Sequence, residues 1–121
     1  MGYESFKELR VWQEAKILAV EVYKITAKGG LAKDYGLKDQ VQRSAVSIAS
    51  NIAEGYERNS DKEFIRFLMI AKGSLSELRT QLEIAKDIKY LDKDNFDLLE
   101  ETCNKIGSMV TKLILSRKAD E

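Results

Sequence analysis

The side chains that most often carry out chemistry are scarce in this sequence. Its 121 residues include no histidine. Imidazole-based nucleophilic triads, the usual zinc-site imidazoles and an axial haem ligand are therefore unavailable. Helical bundles often hold di-iron sites built from paired Glu-x-x-His ligands, and these fall by the same count. Neither GxxxxGKS/T nor GxGxxG occurs, so no glycine-rich loop cradles a phosphate. The single cysteine, Cys103, cannot close an internal disulfide, and it stands at an apolar helical position. The expectation is a buried, inert core thiol. Two carboxylates, Glu54 and Glu77, could meet across helices as a dyad, but they have no base, nucleophile or metal-ligand set to work with. Glu54 also precedes Arg58 by four residues, a spacing that suits a helix-surface ion pair worth about 0.3–0.5 kcal/mol. The residues thus predict a protein that is not an enzyme and holds no cofactor and no metal.

Binding is the remaining class of activity. Arg58, Lys62 and Arg66 cluster at one corner of the chain, with Arg43 further back, and they are the candidate phosphate contacts. Glu57, Asp61 and Glu63 are interleaved with them. Twenty basic side chains balance twenty acidic ones, whereas a dedicated nucleic-acid binder shows a basic excess. Any such patch would need repetition in an oligomer to matter, because phosphate affinity grows with the number of basic contacts. A polar stripe formed by Gln40, Arg43, Ser44, Ser47, Asn51, Glu54 and Arg58 is open to three readings. It is a solvated face, or a register-fixing seam with Asn51 partly buried, or a ligand-facing surface.

Helices are the elements that must position these groups. There is no proline, and 44% of residues are hydrophobic and 33% charged. That mixture excludes disorder and favours long helices with brief connections. Ser5-Phe6-Lys7-Glu8 and Ser60-Asp61-Lys62-Glu63 have the form of capping boxes. Leu9, Trp12, Ala15, Ala19, Val22 and Ile25 recur at helical spacing, and Lys28-Gly29-Gly30 ends that run in a polar loop reaching Gly36. Leu37, Val41, Ile48, Ile52 and Gly55 mark a second helix. Phe64, Leu68, Ala71, Leu75, Leu78, Leu82 and Ala85 alternate steps of four and three as a bundle seam does. Phe96, Leu99, Cys103, Ile106, Val110 and Leu113 repeat the rhythm, and Ser116 to Glu121 read as a frayed tail.

The expected architecture is all-α, an antiparallel up-down-up-down four-helix bundle. It forms one domain over 1–121, with helices at about 6–28, 37–58, 61–89 and 94–117. No apolar run approaches the ~18 residues of a membrane span, and MGYESFKELR has no apolar signal region. A cytoplasmic location is therefore expected.

Two helices carry more apolar surface than one bundle needs. On a wheel of 100° per residue, the apolar arc of the second helix spans about 180°, where a core stripe needs little over ~100°. Val46, Ala49 and Ala53 lie on its surplus side. Ile65, Met69, Gly73 and Ile84 fall away from the seam of the third helix. The same excess on neighbouring helices predicts self-association through these seven residues.

The segments FKELRVWQEAKILAVEVYKIT (residues 6–26), GLKDQVQRSAVSIASNIAEGYER (36–58) and KEFIRFLMIAKGSLSELRTQLEIA (62–85) resemble the four-helix-bundle proteins of the 23S ribosomal RNA intervening sequence family. The most specific pieces are VWQ, SNIAEGY and FLxIAxGSLxEL. The resemblance implies a bacterial protein forming a homo-oligomer, with a pentamer favoured. It also implies association with RNA or a nucleic-acid-processing protein, as in the related accessory subunits of retroelement reverse transcriptases. A protein-binding adaptor with no direct nucleic-acid contact is the alternative. Two departures stand out. Ala49 occupies a place where the family usually has proline, and the first loop, GGLAKDYG, also lacks one. The balanced charge departs as well from the basic character of the accessory subunits.

Overall fold

The computed structural model describes residues 5–120, and every regular element in that range is helical. After a single 3-10 turn at Phe6–Glu8, α1 spans Arg10–Thr26, the short α2 Gly29–Lys33, α3 Tyr35–Glu57, α4 Asp61–Asp87 and α5 Lys93–Asp120. The four long helices pack in a closed square, with α3 against α1 and α4, and α5 against α4 and α1. Side-chain pairs set the directions. Ser47 meets Ser74 and Tyr56 meets Phe64 between α3 and α4, so residue numbers fall on one helix as they rise on the other. Arg79 meets Glu100 and Arg117 meets Asp61 between α4 and α5 in the same descending order. Both neighbouring pairs are therefore antiparallel, as their short connections require.

Burial of one stripe per helix holds the square together. All seven predicted seam residues of α4 are buried, and Phe67 and Ser74 join them on the side facing α3. In α5, Phe96 through Val110 are buried as expected, but the final core position is Ile114, and Leu113 is only half-buried. The core stripe of α1 is rotated from its expected place. Val11, Ala15, Leu18, Val22 and Thr26 are buried, whereas Trp12, Ala19 and Ile25 pack at its edge. The buried seam of α3 consists of Val41, Ser44, Ala45, Ile48, Ile52 and Gly55.

The helix boundaries follow local chemistry. Ser60 Oγ accepts from the Glu63 N–H at 3.3 Å and starts α4 where the capping box placed it. The Ser5 box behaves otherwise. Ser5 Oγ accepts from the Lys7 N–H and caps only the 3-10 turn, because Leu9 is extended and buried. As a result α1 begins at Arg10 rather than near residue 6. The predicted polar loop holds the five-residue α2, which buries Leu31. Gly29, at φ 62°, makes the left-handed turn that leads into it. A Cβ on Gly30 would fall 2.1 Å from the Tyr90 ring, so only glycine lets α2 lie under that tyrosine. The expected frayed tail is helical through Asp120. Met1 to Glu4 of the N-terminal reading, and Glu121, lie outside the described residues. No helix among those described is long and apolar enough to cross a membrane.

Candidate functional site

The contact between α3 and α4 places most of the polar residues singled out in the sequence. Gly55 stands where a Cβ would come within 2.5 Å of Phe67 Cβ, so the two helix backbones approach closely there. One turn of α3 further back, Asn51 Nδ2 donates to the Ser47 carbonyl at 2.8 Å and to Ser47 Oγ at 3.0 Å. Ser47 Oγ is 2.8 Å from Ser74 Oγ on α4. Asn51 is half-buried and Ser74 buried, so this part of the polar stripe is a hydrogen-bonded seam. It fixes the register of α3 against α4.

The corner beside this seam holds three of the four candidate phosphate contacts. Arg58 and Arg66 both lie over the Phe67 ring, at 4.9 and 4.5 Å, a cation–π arrangement on a shared face. Neither guanidinium stands apart from acid. Arg58 reaches Glu54 at 2.9 Å. Arg66 grips Glu63 with two bonds of 3.0 and 3.2 Å, and this bond from Arg66 is the main cause holding the Glu63 carboxyl below its usual range. Lys62 is exposed at the same helix end. Arg43 is not brought to the corner. It lies fifteen residues before Arg58 on α3, about 22 Å along the axis, and pairs with Asp39 at 2.8 Å.

Glu54 and Glu77 do not form a dyad: Glu54 serves Arg58, and Glu77 is exposed on α4. Cys103 is fully buried, as expected, and burial is the first cause pushing its thiol up to about 12, with nearby Glu100 adding to the rise. Among the described residues, no group of three or more His, Cys, Asp or Glu side chains is placed to hold a metal ion.

The apolar surplus resolves into two separate surfaces. Val46, Ala49 and Ala53 line one wall of a groove of about 540 Å³, whose other wall is α1, with Trp12, Val20 and Tyr23. Trp12 is held edge-on by Phe6 at 5.1 Å. The contribution of α1 was not singled out in the sequence. The signal was present in Ile17, Val20 and Tyr23, spaced by three along one side of the helix, and all three are exposed. The second surface runs along the outside of α4. Met69 and Ile84 are 52% and 47% exposed, and nothing lies within 4 Å of a Cβ built on Gly73. Ile65 belongs only partly to it, since it packs against the core. Ile70 and Ile88 of α4 are also exposed.

The chain is thus an all-α four-helix bundle whose polar motif residues lock α3 against α4. The sequence matches the family model of the 23S rRNA-intervening sequence protein over residues 7–112, and the chain belongs to that family. No curated protein matches it. Its fold is shared with the crystal structure of a protein of unknown function from the S23 ribosomal protein family of Bacteroides thetaiotaomicron. That structure is 24% identical and superposes with a TM-score of 0.78, covering 86% of this chain and 97% of the other.

Proposed function

We propose that the protein is a non-enzymatic scaffold whose identical copies join head to tail into a closed ring associated with RNA. The observation that carries this reading is the pair of unlike apolar surfaces. One is the α1/α3 groove, where Val20, Tyr23 and Val46 remain 44%, 49% and 42% exposed. The other is the outer stripe of α4 with Met69 and Ile84. A two-fold dimer would cover one kind of surface twice and leave the other in water. Joining the groove of one copy to the stripe of the next covers both, and such heterologous contacts either close into rings or extend as filaments. Five is the copy number the family resemblance implies.

Light scattering or native mass spectrometry tests this reading. The mass should be a multiple of the 13.8 kDa chain, five-fold for the favoured ring. Val46→Asp in the groove and Met69→Asp on the stripe should each give monomers. Mixed together, the two variants should form dimers, because each retains the surface that the other has lost. A wild-type monomer at micromolar concentration, or variants that fail to complement, would refute the head-to-tail arrangement.

A second reading, a protein-binding adaptor with no nucleic-acid contact, is favoured by the corner chemistry. Arg43, Arg58 and Arg66 already pair with Asp39, Glu54 and Glu63, so their charge is largely neutralised at short range. RNA retention that falls steeply with salt separates the two readings, because adaptor binding lacks the counterion release that produces that slope.

A further inference from the structure

On the side of α4 that meets α5, the two helices flank a groove of about 430 Å³. Gly107 forms part of its floor. Even a Cβ there would sit 3.3 Å from Leu75 Cδ2, so α5 can approach α4 closely at this point. Lys72, Ser76 and Arg79 line the α4 wall, and Ser108, Thr111 and Lys112 the α5 wall. The lining thus combines three cations with three hydroxyls and has no carboxylate. Among the described residues, Lys72 and Lys112 enter no ion pair, and the hydroxyls of Ser76, Ser108 and Thr111 make no side-chain hydrogen bond. Arg79 is fixed at one end by two 3.1 Å bonds to Glu100. These bonds are the main cause raising its pKa, so it stays charged throughout.

We propose that the α4/α5 groove is a phosphate-binding site, with Lys72 and Lys112 supplying charge and the three hydroxyls donating to the phosphate oxygens. Lysine ammonium groups and short hydroxyls are the donors that hold phosphates without reading what the phosphate is attached to. The lining has no aromatic platform for a base. It therefore suits a backbone phosphate, approached from the open side and held independently of sequence. The inference deepens the RNA half of the proposed function. It moves the contact from the Arg58/Arg66 corner, where acid already occupies both arginines, to a groove where only Arg79 is so occupied and both lysines are not. The even net charge of the chain is no obstacle, because only local charge counts at this range.

Two probes test the assignment, a single-stranded oligouridylate and inorganic phosphate, on the full chain. Removing two phosphate contacts lowers the slope of log K against log salt by about 1.4, which is roughly a 25-fold loss at about 0.1 M salt. Lys72→Gln/Lys112→Gln should show that loss, with unchanged circular dichroism and unchanged mass by scattering. Glu100→Gln, which frees Arg79, should strengthen retention by roughly five-fold, the gain of one contact. Inorganic phosphate should shift the amide NMR signals of Ser108 and Thr111 in the wild type and not in the double variant. If phosphate shifts these signals but no RNA is retained, the groove stands as a site for small phosphate compounds and the RNA reading falls. If RNA is retained equally by wild type and double variant, and lost only on Arg58→Glu or Arg66→Glu, the groove assignment is overturned and the RNA reading survives. Silence toward both probes overturns the groove.

Discussion

Two glycines on adjacent helices should respond to alanine with opposite signs. At Gly55 the new Cβ would lie 2.5 Å from Phe67 Cβ, 3.2 Å from Phe64 Cδ1 and 3.3 Å from Phe67 Cγ, against the 3.5–4.0 Å at which carbon atoms pack best. The nearest atom is rooted on the α4 backbone, so no rotamer change can relieve it, and α3 and α4 must separate by about 1 Å. Overpacking of this kind costs about 1–3 kcal/mol. Alanine's helix propensity gives back about 0.8–1.0 kcal/mol at the same position. The expected net effect of Gly55→Ala is destabilisation by up to about 2 kcal/mol, a Tm lowered by about 3–5 °C per kcal/mol for a chain of this size. At Gly73 nothing stands within 4 Å, so Gly73→Ala keeps only the propensity gain and should stabilise the monomer by about 0.5–1 kcal/mol. Denaturant unfolding followed by circular dichroism reads both, at concentrations low enough to keep the chain monomeric. A Gly55→Ala variant more stable than the wild type, matching the sign at Gly73, would refute the close approach of α3 to α4.

Three further outcomes follow from the structure. Ser60→Ala removes the cap that accepts from the Glu63 N–H and should cost about 1 kcal/mol by the same unfolding assay, with little change in m-value. The Cys103 thiol, raised to about 12 by burial, should resist alkylation at pH 8 in the folded protein and react readily in denaturant. Its pKa is higher folded than unfolded, so the stability it contributes is complete below about pH 9. That contribution declines between there and about pH 12, by at most about 1.4 kcal/mol per pH unit, and Cys103→Ala should flatten the decline. Asn51→Leu breaks the bonds to Ser47, and double-mutant cycles with Ser74→Ala should show coupling above about 0.5 kcal/mol.

The long seams were legible because burial on one side of a helix imposes a period that a sequence displays directly. Phe64 through Ala85 carry it without a slip, and all seven are buried. The reading failed where two signals competed. Trp12, Ala19 and Ile25 form a plausible stripe on α1, yet Val11 and Leu18 are the residues inside, because Trp12 is drawn to the groove edge by Phe6. Gly29 and Gly30 read as a stop. They do stop α1, but Gly30 also opens the room under Tyr90 in which α2 forms, a tertiary effect invisible in local spacing. The surplus on α3 was legible for the same reason as the seams. The α4/α5 groove was not, because Lys72, Arg79 and Lys112 stand on two helices and only antiparallel packing brings them to one hollow.

Two of the three most specific sequence pieces of this chain, SNIAEGY and FLxIAxGSLxEL, meet in one helix–helix contact. SNIAEGY supplies Asn51 to the seam and Gly55 to the close approach, and the α4 piece supplies Ser74 and, at its start, Phe67. These residues hold α3 against α4 in a fixed register, and none of them faces a groove that could take a partner. Much of what identifies the family therefore makes the bundle, while Trp12 of VWQ and Ser50 and Ala53 of SNIAEGY line the α1/α3 groove. The open grooves lie on the other flanks, between α1 and α3 and between α4 and α5. Exposed groove residues such as Val20, Lys72 and Lys112 can change without loosening the seam, so two chains that share this fold can differ in what they hold.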